Sequence, residues 1–96
     1  MKIVYEKSGG FAGLRTRKAI DTAQLSAKEA AEVHRLIDSS GFFKLPSKID
    51  QSQMRDAFQY VIEADNGSQQ HRVSITGEPQ EPSLALLRQK LESLSG

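Results

Sequence analysis

Metal coordination and acid–base catalysis both need donor side chains brought together. In this chain of 96 residues the softest donors are two histidines, His34 and His71, and there is no cysteine. The histidines stand 37 positions apart, outside any metal-ligand motif, so the reading is that no metal or cofactor is bound. The serines are plentiful, but none sits in a nucleophile-elbow motif, and no phosphate-cradling glycine loop precedes a lysine and a serine or threonine. The expectation is a protein that is not an enzyme.

Two stretches remain that can act on a partner. Arg15, Arg17 and Lys18 form a basic run, which would need interleaved aromatic side chains to stack the bases of a single strand. None are interleaved, so the run reads as a charged strand face or edge that discourages edge-to-edge pairing. The other stretch is Ser8-Gly9-Gly10-Phe11-Ala12-Gly13-Leu14, in which three glycines surround an apolar Phe11. A simple turn seldom needs so many glycines around a large apolar tip.

The elements that hold these stretches follow from hydrophobic periodicity. Residues 1–7 place Ile3 and Tyr5 on one side and Lys2 and Glu6 on the other, which is the alternation of a strand interrupted by Val4. After the glycines, residues 14–21 put Leu14, Thr16, Lys18 and Ile20 on one face and return as the second strand of a hairpin. Ser26 stands three residues before Glu29, the spacing of a capping box, and an apolar stripe of Ala30, Val33, Leu36 and Ile37 follows. With Gly41 as a left-handed cap, the spacing predicts a helix over Ala27–Ser40. Residues 41–46 then bring Phe42, Phe43 and Leu45 to the edge of the core before Pro46 bends the chain away. Residues 47–56 are polar and without period and read as the longest loop.

Phe58, Tyr60 and Ile62 alternate with Gln59, Val61 and Glu63, Asp65-Asn66-Gly67 suits a tight turn, and residues 69–76 return with Val73 and Ile75 on one side. Pro82-Ser83 opens a last helix with a stripe of Leu84, Leu87, Leu91 and Leu94. The order is ββαββα, and the expected fold is α+β: residues 1–96 as one domain, an antiparallel four-stranded sheet covered on one face by two helices.

Composition narrows the partners. The formal net charge is +1, too small for a broad field that grips a phosphate backbone. No apolar run reaches membrane-spanning length and the N-terminal residues do not read as a secretory signal. The expectations are a cytoplasmic protein, a monomer when free, with neither nucleic acid nor membrane as its partner.

The first strand with its glycine turn resembles the N-terminal signature of the emfourins, inhibitors of thermolysin-like proteases such as protealysin. Gly41-Phe42-Phe43-Lys44-Leu45-Pro46, Asp56-Ala57-Phe58-Gln59-Tyr60 and the proline-led leucine helix resemble the family in order and spacing as well, so the resemblance covers nearly the whole chain. It implies a cytoplasmic bacterial inhibitor of a protealysin-type zinc metalloprotease. Such proteases favour a bulky apolar residue just after the scissile bond, and the turn offers Phe11 and Leu14, each preceded by glycine. On this reading Ser8, Gly9, Gly10, Phe11, Ala12, Gly13, Leu14 and Arg15 contact the protease and block its cleft in a substrate-like way. The turn, the start of residues 42–46 and residues 77–82 would gather into one wedge, with Arg15, Asp56 and Glu78 at its rim. Three alternatives stay open on sequence: the sheet face or residues 47–56 meets the protease, the chain is a general protein-interaction module, or the basic second strand binds nucleic acid weakly.

Overall fold

The computed structural model describes residues 1–9, 13–50 and 57–94. Five strands and two helices form one mixed α+β unit. They are β1 (Lys2–Gly9), β2 (Leu14–Asp21), α1 (Ala27–Ser40), β3 (Lys48–Asp50), β4 (Gln59–Asp65), β5 (Gln70–Thr76) and α2 (Pro82–Ser93), with single 3₁₀ turns at Thr22–Gln24 and Phe42–Lys44. The sheet order is β2-β1-β4-β5-β3.

The expected four-stranded antiparallel sheet is thus corrected to five strands. Within residues 47–56, Lys48–Asp50 is a strand, pairing Lys48 with Ser74 and Asp50 with Thr76 in parallel with β5. The Ser74 amide donates to the Ser47 carbonyl at 2.8 Å and extends that ladder. Three residues are too few to show a period, and what makes them a strand is the open edge of β5. The other three pairings are antiparallel.

Alternation along the strands sorts their side chains. Ile3, Tyr5, Ile20, Tyr60, Ile62, Ala64, Val73 and Ile75 are buried on the face that the helices cover. Val33, Leu36 and Ile37 of α1 and Leu84, Leu87 and Leu91 of α2 close the core from above, each such side chain contributing about 1.5–3 kcal/mol on leaving water. Lys2, Arg15, Arg17 and Arg72 stand exposed on the other face.

Helix boundaries follow local chemistry. Ser26 Oγ accepts from the Glu29 amide at 3.2 Å, and Gly41 closes α1 at φ 62°. Glu81 rather than a serine caps α2, its carboxylate accepting from the Leu84 amide at 2.7 Å, and Pro82 at the first turn loses no helical hydrogen bond.

The helices cross the strands instead of running back along them. The chain leaves β2 beside Met1, where the Thr22 amide donates to the Met1 carbonyl at 2.9 Å. After α1 it reaches His71 of β5, whose Nε2 lies 2.7 Å from the Leu45 carbonyl oxygen and whose ring meets Phe42 edge-on at 5.8 Å. His71 and Met1 are at the same end of the sheet, since β4 pairs Ala64 with both His71 and Ile3. A 14-residue helix is about 21 Å long, enough to span four strands spaced about 4.8 Å apart. The segment of residues 42–46 therefore packs at the end opposite the glycine turn. That overturns the expectation that it joins the turn in one wedge.

Candidate hairpin surface

The register brings three segments together at one end of the sheet. Gly9 pairs with Leu14 at the mouth of the glycine turn, Ser8 with Gln59, and Gln59 with Thr76. The turn, residues 57–58 and the start of residues 77–81 are thereby neighbours, and the Gly77 amide donates to the Phe58 carbonyl at 2.9 Å. Of the expected contact residues, Ser8 and Gly9 end β1, Gly13 is in the turn, and Leu14 and Arg15 begin β2. Gly10, Phe11 and Ala12 lie outside the described residues, as does Asp56.

The base of the turn is closely fitted. Gly9 has φ 96° and Gly13 has φ 63°, a region that side chains disfavour. A β-carbon on Gly9 would lie 3.1 Å from the Ala57 carbonyl oxygen, whereas one on Gly13 would meet nothing within 4 Å. Gly9 is thus required both by its backbone angle and by the close approach of the segment leading into β4.

Behind the turn lies a network that sequence reasoning missed. Arg88 of α2 is 7% exposed. Its guanidinium donates to Glu78 at 3.0 Å, to Glu92 at 3.2 Å and to the Tyr5 hydroxyl at 3.4 Å, and it lies 4.7 Å from the centroid of the Tyr60 ring. The Tyr5 hydroxyl in turn donates to Glu92 at 2.9 Å. Burial pushes that hydroxyl far above its ordinary phenol range, so Tyr5 stays a donor. Burial also works against the Arg88 charge, but its hydrogen bonds with Tyr5 and Glu78 outweigh it and hold the cation in place. For Glu92 burial again raises the carboxyl, and the Tyr5 hydrogen bond with the Lys7 and Arg88 charges more than reverses this, leaving it below the usual glutamate range. A signal was present in the sequence: Arg88 falls on the leucine stripe, four residues after Leu84 and three before Leu91.

Beside this network Phe58 is exposed to 40%, one of two large apolar side chains so exposed among the described residues. The Lys7 ammonium sits 4.5 Å from its ring centroid and 3.2 Å from Glu92. Lys18 donates to the carbonyls of Glu92 and Leu94, and so caps the C-terminal end of α2. The basic run of the second strand is therefore divided between two faces. Arg15 and Arg17 flank the single carboxylate of Glu6 at 3.6 and 3.3 Å on the open face, and Lys18 points to α2. Glu78, expected at the rim, is tied to Arg88, though half exposed. His34 is exposed on α1, and among the described residues no group of three or more acidic or histidine side chains is placed to hold a metal ion.

The family model for emfourin matches residues 5–92, from Tyr5 in β1 to Glu92 in α2, which takes in the network, both helices and nearly all of the sheet. No curated protein and no solved structure matches the chain. With nearly the whole chain matched, the protein belongs to the emfourin family and shares its general role of protease inhibitor.

Proposed function

We propose that this protein inhibits thermolysin-like, protealysin-type zinc metalloproteases by seating its glycine-rich turn, residues 8–14, in the active-site cleft. It acts in the cytoplasm and is a monomer when free. The observation that carries this reading is the fit at the base of the turn. Gly9 lies against the Ala57 carbonyl at a positive φ, Gly77 is hydrogen-bonded to Phe58, and the Arg88 network fixes the strand and helix behind them. Holding both ends of the turn, at Gly9 and Leu14, lowers the entropic cost of association. On this reading the held ends also keep the bound peptide bond out of attack geometry, so the turn binds without being cut efficiently.

On this reading Phe11 or Leu14 occupies the apolar pocket beside the zinc of the protease. The Gly-Phe and Gly-Leu steps let the backbone lie close to the walls of a narrow cleft.

The test is residual peptidase activity of a thermolysin-like enzyme after preincubation with increasing amounts of the protein, with a serine protease as control. Selective, saturable loss is expected, and Phe11→Ala is expected to raise the inhibition constant roughly tenfold to a hundredfold, the range of a central apolar anchor. Full inhibition by the Phe11 variant would remove the turn from the mechanism. Retention of activity by every thermolysin-like enzyme tried would reject the metalloprotease reading.

A further inference from the structure

Next to the turn, on the helix-covered side, lies an open cleft of about 360 Å³ lined by Lys7, Thr16, Lys18, Phe58 and Glu92. Nothing in the core demands it. Phe58 is 40% exposed although its ring lies tilted against buried Tyr60 at 6.5 Å, and Thr16 is exposed on an edge strand. The surroundings are electrostatically lopsided. On the face where the cleft opens, Lys7 and Lys18 border it with one carboxylate, Glu92, while Arg15 and Arg17 pair with Glu6 on the opposite face. Cations thus outnumber carboxylates around the cleft. An apolar floor under a cationic rim selects a side chain of matching chemistry.

Resting on the proposed function, we infer that this cleft is a second protease contact: it takes an apolar side chain from the rim of the target's active site, with a carboxylate of the protease beside that side chain facing Lys7. The occupant is the protease and not a second copy of this chain, because two copies would bring like-charged hairpins together. The cleft opens next to the turn, so one target surface reaches both. Engagement of the turn alone would leave Phe58 in water; engagement of both removes it from water and adds a contact that an isolated turn peptide lacks.

The experiment measures inhibition constants and dissociation rates against a thermolysin-like protease for the wild type and four variants, with thermal midpoints in parallel. Phe58→Ala is expected to weaken inhibition about tenfold, mainly through faster dissociation. Thr16→Trp fills the cleft from an exposed position and is expected to weaken it similarly with an unchanged midpoint, which keeps the inference testable should Phe58→Ala lower stability. Lys7→Gln is expected to slow association and flatten its salt dependence. Leu86→Ala, exposed on α2, is expected to behave as wild type. Wild-type inhibition by both the Phe58 and Thr16 variants, with Phe11→Ala still damaging, would overturn the cleft contact and leave the turn mechanism standing. An equal loss from Leu86→Ala, or a wild-type dimer that Phe58→Ala dissolves, would overturn the assignment as well. Failure of the wild type to inhibit would overturn the inference together with the function it rests on.

Discussion

Of the five glycines with a positive φ among the described residues, Gly9 has a close backbone neighbour while Gly13 and Gly41 stand in open space, which separates backbone strain from close packing in one experiment. Gly9, Gly13 and Gly41 have φ of 96°, 63° and 62°. Alanine at Gly13 or Gly41 would meet nothing within 4 Å. Its cost is the left-handed backbone alone, about 1–2 kcal/mol, less about 0.4–1 kcal/mol for the reduced freedom of the unfolded chain. The net expectation at either site is about 1 kcal/mol. Alanine at Gly9 carries at least that backbone term, its φ of 96° lying beyond the left-handed well, and also places its β-carbon 3.1 Å from the Ala57 carbonyl oxygen. That contact is relieved only if the backbone of the segment entering β4 moves by a few tenths of an ångström, and overpacking of this kind costs about 1–3 kcal/mol. Gly9→Ala is therefore expected to lose about 2–4 kcal/mol.

For a domain of this size each kcal/mol lowers the thermal midpoint by about 4–8 °C. The Gly9 variant should melt at least about 8 °C below wild type, and the other two within about 8 °C of it. Urea denaturation gives the free energies directly, provided the slope is unchanged among the variants. Because the displaced segment adjoins the turn, Gly9→Ala should also raise the inhibition constant more than Gly13→Ala does at a temperature where both are folded. Equal destabilisation at Gly9 and Gly41 would refute the argument, since it would mean that the Ala57 carbonyl yields without cost.

Arg88→Met keeps the length and apolar stem of the side chain but leaves Glu78, Glu92 and the Tyr5 hydroxyl without their shared donor. Both carboxylates are partly exposed and can hydrate, so the expected loss is about 1–3 kcal/mol rather than that of a fully buried ion pair, read as a shift in the urea midpoint. Acid titration tests Glu92. Its carboxyl lies below the ordinary range in the folded protein, so the stability it contributes is present above the unfolded value of about 4.3 and is lost as pH falls through the folded one. Wild type should lose stability more steeply than Glu92→Gln below about pH 4.3, and parallel pH profiles for the two would refute the assignment.

Much of this architecture was legible because local signals and tertiary packing agreed. Ser26, Glu29 and Gly41 delimit α1 at the predicted Ala27–Ser40, and the leucine stripe of α2 is the buried one. The hairpins were equally readable, with β2 at the predicted bounds and β1 reaching two residues further, to Gly9. Two features were not legible, and for a common reason. β3 exists because β5 offers it an edge, and the turn at Phe42–Lys44 lies far from the glycine turn because α1 crosses the sheet. Both depend on where distant elements sit, and neither the polarity of residues 47–56 nor the apolar character of residues 42–46 encodes that. Arg88 is the intermediate case. A cation within an apolar helical stripe announces a buried partner, but its partners Tyr5, Glu78 and Glu92 become apparent only when α2 is laid across β1.

That placement has a consequence for how the hairpin surface works as a unit. Glu92 accepts from Tyr5, Lys7 and Arg88 with one carboxylate oxygen, and Lys18 from β2 holds the backbone carbonyls that follow. Both strands of the hairpin are thus fastened to the C-terminal end of α2, while Arg88 one turn earlier fastens the same helix to Glu78 in the segment after β5. The ends of the glycine turn, at Gly9 and Leu14, are thereby mounted on a base pinned on three sides, and substitutions in that base should alter inhibition by changing how the turn is presented. Glu92→Gln and Arg88→Met should accordingly weaken inhibition without either residue touching the protease, whereas a loss confined to stability, with the inhibition constant of the folded fraction unchanged, would show that the turn is presented independently of the network behind it.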